Sequence, residues 1–223
     1  MKVVAGVWLV ALAVAGASTQ ERFDVKVRSD FFAGFAGNRE ALLRGMKACE
    51  EVLAREPTHA EALVWHGGGL HFLAGELFQR GEMARGAELA GRGLAEMDRA
   101  VELAPTTVAI RIPRGAYLLA ASRFGPAEMR RAMIEKGVAD YQVSYDLQRD
   151  HLSRLGQHPL GELLFGLAEG YSRLGQMDAA RSFFDMIRKD LPGTEYADRA
   201  SLWLGTGSLP ADRTRCVGCH VQR

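Results

Sequence analysis

Residues 160–193, LGELLFGLAEGYSRLGQMDAARSFFDMIRKDLPG, constrain the fold more than any other part of this protein. Counting from Leu160, the residues Leu164, Leu167, Ala168, Tyr171 and Leu174 recur at helical spacing and share one face of a first helix. Gly175-Gln176 reads as a turn, because glycine enters the left-handed backbone region at no steric cost. Ala180, Phe184 and Ile187 then line a second helix, which Pro192 closes. Two short helices joined this tightly lie antiparallel and bury their apolar stripes against each other, so the pattern predicts an all-α fold.

The ending recurs upstream in weaker form. Cys49, Val52 and Leu53 precede Pro57, and Met97, Ala100 and Val101 precede Pro105. After each proline another helix opens, with Gly67 and Leu70 in HAEALVWHGGGLHFLAGELF and Gly115 and Leu118 in TTVAIRIPRGAYLLAASRF as a small and then a large residue. In this alternation, small residues let helices approach and large ones fill the groove, and it resembles the tetratricopeptide repeat. The resemblance implies an antiparallel helix-pair solenoid over residues 18–205, with units at 26–59, 60–107, 108–159 and 160–193. The second unit carries an insertion around 79–91, and the third has a long second helix over 126–149. A last helix over 196–204, with Leu202, Trp203 and Leu204, is expected to cap the open end. Pro113 departs from the repeat and predicts a kink or a helix that starts just before it. A plain helical bundle is the structural alternative.

Beyond the repeats, GTGSLPADRTR has no apolar periodicity and reads as a flexible arm within a tail over 206–223. It leads to Cys216-Val217-Gly218-Cys219-His220. In an exported protein the C-x-x-C-H pattern reads first as a site for one covalent c-type haem: Cys216 and Cys219 form the thioethers and His220 is the proximal iron ligand. A Cys216–Cys219 disulfide, a zinc site and a redox dithiol compete. Zinc lacks a second ligand pair, the dithiol lacks an α/β setting, and His220 is superfluous to a disulfide but required by haem. Only Val221, Gln222 and Arg223 follow the box, so the second haem face is expected to be covered by the repeat body, by a partner, or by water. His151, His158, Met177 and Met186, in or beside the last unit, are the candidate distal ligands.

Haem attachment of this kind requires export, and the amino terminus carries a leader. Lys2 precedes an apolar run over residues 3–15, and Ala15-Gly16-Ala17 supplies a small-x-small cleavage pattern ahead of Ser18. A signal peptide over 1–17 places the mature protein in the periplasm or outside the cell, with no stable membrane span; an uncleaved amino-terminal anchor is the alternative. Losing Lys2 takes the formal net charge from +1 to 0, which offers no basic excess for nucleic acid. With three cysteines, of which Cys49 falls at a buried helix position, this is not a disulfide scaffold.

The resemblance also implies that the first helix of each pair faces a concave channel. Glu61, Val64, His71, Phe72, Phe165, Glu169 and Arg173 are the candidates for contact with an extended peptide of an extracytoplasmic partner. Gly67-Gly68-Gly69 lacks both the preceding strand and the G-K-[ST] of a phosphate loop and reads as helix packing. No Ser-His-Asp order, H-E-x-x-H or paired-carboxylate arrangement supports hydrolysis. The sequence therefore predicts an exported scaffold with one haem, acting in electron transfer or as a haem-bearing adaptor. Its rivals are a cofactor-free scaffold for envelope assembly or solute uptake, and an open-site haem peroxidase.

Overall fold

The computed structural model describes residues 22–125 and 127–210, and the regular elements among them are all helical. They are α1 (Phe23–Phe35), α2 (Arg39–Leu53), α3 (Ala60–Gln79), α4 (Met83–Leu103), α5 (Val108–Ala121), α6 (Ala127–Gln148), a 3₁₀ turn (Arg149–Arg154), α7 (Gln157–Arg173), α8 (Met177–Asp190) and α9 (Glu195–Thr206). The leader and the C-x-x-C-H box lie outside the described residues, as does the arm from residue 211 onward.

Helices pack as consecutive pairs, α1 on α2, α3 on α4, α5 on α6 and α7 on α8, with α9 against α8. The odd-numbered helices α1, α3, α5 and α7 also touch one another in succession, which gives a solenoid-like stack. Three pairs turn in the same way. Gly37, Gly81 and Gly175 adopt φ of 108°, 79° and 76°, a region that costs other residues about 1 kcal/mol or more. The next residue's N–H then reaches back to the preceding helix: Asn38 to the Ala33 carbonyl at 2.9 Å, Glu82 to Leu77 at 2.9 Å and Gln176 to Tyr171 at 3.0 Å. Entry into the second helix of the first pair is capped by Asn38, whose Oδ1 accepts from the Ala41 N–H at 3.1 Å.

Two glycine pairs set how closely helices approach. A Cβ on Gly67 would stand 2.5 Å from the Gly93 carbonyl oxygen, and one on Gly93 would stand 2.6 Å from the Gly67 oxygen, so α3 and α4 cross backbone to backbone. Gly115 and Gly137 do the same more loosely for α5 and α6, each carbonyl 3.1 Å from the other's would-be Cβ. The Gly67-Gly68-Gly69 run is thus the middle of a helix.

Three sequence expectations change. Residues 79–91 are no insertion: they end α3, turn at Gly81 and begin α4, and the unit's extra length lies in helices of 20 and 21 residues. Pro113 neither starts nor ends α5, which runs from Val108 to Ala121 around it; the ring costs the one bond that its missing N–H would have made to the Ala109 carbonyl. In the last helix, of the three expected capping residues, only Trp203 is buried, at 1 % exposure, while Leu202 is 38 % exposed.

The core follows the pairs. Phe31, Leu42, Cys49, Trp65, Leu70, Met97 and Ile110 join α1 to α5. Leu119, Val138, Tyr141, Leu163 and Leu167 continue it through α7, and Leu164, Phe184, Ile187, Tyr196 and Trp203 close it at α9. Within this stack charges also serve as clasps. Arg114, buried on α5, donates from Nε to Asp140 Oδ2 and from Nη2 to Asp140 Oδ1, both at 2.7 Å, and from Nη1 to Asp98 at 2.9 Å. Arg111 adds 2.7 Å to the fully buried Asp140, so α4, α5 and α6 are tied through one guanidinium.

Candidate functional site

Hydrogen bonds between helices fix the direction of the later elements. Arg173, ending α7, donates to the Leu119 carbonyl at 2.8 Å and to Ser122 Oγ at 2.7 Å, beside the end of α5. Trp203, in the last turn of α9, donates from Nε1 to Ser172 Oγ at 2.9 Å. At the opposite ends the Tyr196 hydroxyl meets His158 Nδ1 at 3.1 Å. Helices α5, α7 and α9 therefore end on one rim, the rim that carries the turn of the last pair. Phe78, Met83, Phe124, Met129 and Met177, all exposed, stand on or beside the turns within the helix pairs.

On the layer of odd-numbered helices a small cleft opens between α5, α7 and α9. Ala116, Leu119, Arg123, Glu162, Phe165 and Glu169 line it, with Tyr141 and Tyr196 behind. Arg123 donates to Glu169 Oε1 at 3.1 Å, and the Tyr141 hydroxyl donates to Glu162 at 2.9 Å. Burial lifts the Glu169 carboxyl above its ordinary range against the opposing pull of Arg123 and Arg173. The same burial holds Arg173 below its usual value despite Glu169.

The peptide-contact candidates divide. Val64, at 1 % exposure, belongs to the first core cluster, and Phe165, at 6 %, packs on Phe184 and Tyr196 and shows only a small edge at the cleft. Glu169 and Arg173 are brought together, as internal clasps between α5 and α7. Glu61 accepts the Asp24 backbone N–H at 3.0 Å and so anchors the start of α1. Phe72 packs on Phe35 with ring centroids 5.5 Å apart. His71 stacks on Tyr117 at 3.4 Å, with its Nε2 buried and without a partner, and burial pushes its pKa down to about 3.

The four distal-ligand candidates are far from equivalent. His151 is exposed in the 3₁₀ turn, and His158 is engaged with Tyr196 at the start of α7. Met186 packs on the last core cluster, whereas Met177 is 44 % exposed at the rim. Among the described residues no group of three or more His, Cys, Asp or Glu is placed to hold a metal ion, and no helix is long and apolar enough to cross a membrane. Cys49 is a free, buried thiol with its pKa pushed up to about 12 by burial, to which Glu96 and Glu50 add.

Residues outside the sequence-derived set also shape this region. The Arg114 clasp joins Asp98, 16 residues before it, to Asp140, 26 residues after it, separations that no helical periodicity reports. His66 is another: its Nδ1 lies 2.6 Å from Glu96, and although burial alone would lower its pKa, Glu96 and Glu50 raise it. No protein-family model, curated protein or solved structure matches this protein.

Proposed function

We propose that this protein is an exported tetratricopeptide-like scaffold that carries one covalent c-type haem at its carboxy-terminal box and presents it to an extracytoplasmic partner. The observation that carries the reading is Cys216-Val217-Gly218-Cys219-His220 behind an export-type leader: two thiols for thioethers and an adjacent imidazole for iron. The all-helical body supports it as a rigid mount. Its paired helices, left-handed glycine turns and glycine contacts between helices suit a repeat array, which commonly binds extended segments along one layer. The cleft between α5, α7 and α9 is the place on that layer where charged and aromatic residues converge.

Haem supplies one-electron transfer when bound; the protein supplies the attachment thiols, the proximal imidazole and the mount. The test is expression with a c-type haem attachment system. The mature protein should gain the mass of one haem and give a haem-stained band that survives denaturing electrophoresis, and Cys216→Ala/Cys219→Ala should give neither. Equal absence of colour in both proteins removes the haem reading and leaves a cofactor-free scaffold with a Cys216–Cys219 disulfide.

A further inference from the structure

We propose that the edge formed by the turns of the second, third and fourth helix pairs docks on an anionic lipid surface, lying on the membrane without spanning it. The inference goes beyond the scaffold reading and holds with or without a haem.

Three successive pairs bring their turns to this edge. Arg173, ending α7, is tied to Ser122 beside the end of α5. His71 stacks on Tyr117, and from that contact α3 continues for about 12 Å to Gln79 and α5 for about 6 Å to Ala121. The ends of α3, α5 and α7 are therefore close to level. Nine large apolar side chains are exposed among the described residues, and five of them crowd onto this edge: Phe78 and Met83 at the second pair, Phe124 and Met129 at the third, and Met177 at the fourth. Scattered single apolar residues are normal on any surface, but a share this large on one edge marks an interaction site. Phe124, 88 % exposed, keeps almost its whole ring in water.

Charge indicates what covers these side chains. Segments 76–86, 121–131 and 171–181 carry seven arginines against four carboxylates. Arg80 and Arg85 share the one carboxylate of Glu82, and among the described residues Arg130 meets only the Gly125 carbonyl, at 2.9 Å. Two of the acids, Glu128 and Asp178, sit in the first turns of α6 and α8, where helix N–H groups offset them. A cationic edge with protruding apolar tips complements anionic headgroups over hydrocarbon.

The layout also favours lipid over a protein partner. Packed helices lie about 8–10 Å apart, so the tips of successive pairs are separate points with charged residues between them. A protein interface needs a contiguous apolar centre, whereas a fluid bilayer closes around each tip.

The experiment uses the mature full-length protein, with or without haem, and co-sedimentation with large vesicles. Wild type should partition onto equimolar phosphatidylglycerol and phosphatidylcholine about tenfold or more better than onto phosphatidylcholine alone, and high salt should remove the difference. Met83→Ser/Phe124→Ser should weaken partition about tenfold or more. Val25→Ser/Leu43→Ser, which removes two exposed apolar side chains away from this edge, should leave it unchanged. Arg80→Gln/Arg130→Gln should lower binding to the anionic vesicles about tenfold or more. All these side chains lie on the surface, so an unchanged thermal midpoint shows that each variant is folded. Wild type that stays in solution with both vesicles, or the two serine pairs losing binding alike, overturns the proposal. So does sedimentation velocity in which the protein pairs with itself through Met83 and Phe124, because the edge is then a contact between copies.

Discussion

The His71–Tyr117 stack makes the stability of the α3–α5 junction depend on pH in a calculable way. His71 Nε2 is buried without a partner, and burial lowers the pKa from 6.5 to about 3. The unfolded protein therefore binds a proton at this residue below pH 6.5 that the folded protein refuses until about pH 3. Stability from this group falls as pH drops through that window. At 1.36 kcal/mol per unit, the loss between pH 7 and pH 5 is about 2 kcal/mol. His66 works in the opposite sense: its raised pKa gives stability that is present at acid pH and lost as pH rises through the folded value. The assay is urea denaturation of wild type and His71→Phe at both pH values, comparing the pH-induced change in each. Phenylalanine keeps the ring on Tyr117 and removes the titration, and His66 cancels because it is present in both. The wild-type loss should exceed that of the variant by about 2 kcal/mol. Equal losses would show that His71 is protonated in the folded protein and that the stack is open to water.

Glycines of α3 should respond with opposite signs. Gly67→Ala drives a Cβ to 2.5 Å from the Gly93 carbonyl and should cost about 2–3 kcal/mol in denaturant titration, whereas Gly75→Ala meets nothing within 4 Å and should gain up to about 1 kcal/mol. Asp140→Ala leaves the buried Arg114 without its two-pronged partner and should cost about 3–5 kcal/mol, read as a lowered calorimetric midpoint. At Gly175, φ 76° strains any side chain, so Gly175→Ala should destabilise by about 1 kcal/mol, measured by thermal melting. A neutral Gly175→Ala would mean that the turn relaxes freely.

Local signals were the legible ones. The stripe from Leu164 to Leu174 and the turn at Gly175 predicted α7 and α8 within a few residues, because helical period and left-handed glycine are written in adjacent positions. Glycine misled in the second pair. Residues 79–91 contain Gly81, Gly86 and Gly91 and read as an insertion, yet Gly86 sits inside α4 where Phe78 packs over it. Burial along a helix was less legible: Val64 and Phe165 share odd-numbered helices with the other groove candidates but are almost wholly buried, a rotation that depends on which neighbours pack. The clasps of Arg114 with Asp140 and of Arg173 with Leu119 join distant segments and leave no mark on local pattern.

The third pair turns differently from the others. Where Gly37, Gly81 and Gly175 make short left-handed turns, α5 leaves through Ser122, Arg123, Phe124 and Gly125, and Phe124 stands 88 % exposed. A protease that cleaves after aromatic residues has its natural point of entry there. The cut would fall between two helices that stay fastened by the Arg114–Asp140 clasp and the Gly115–Gly137 contact, with Arg173 still holding the end of α5. The nicked molecule is thus a non-covalent heterodimer of its own halves, and the two halves, made separately, are a natural pair for fragment complementation.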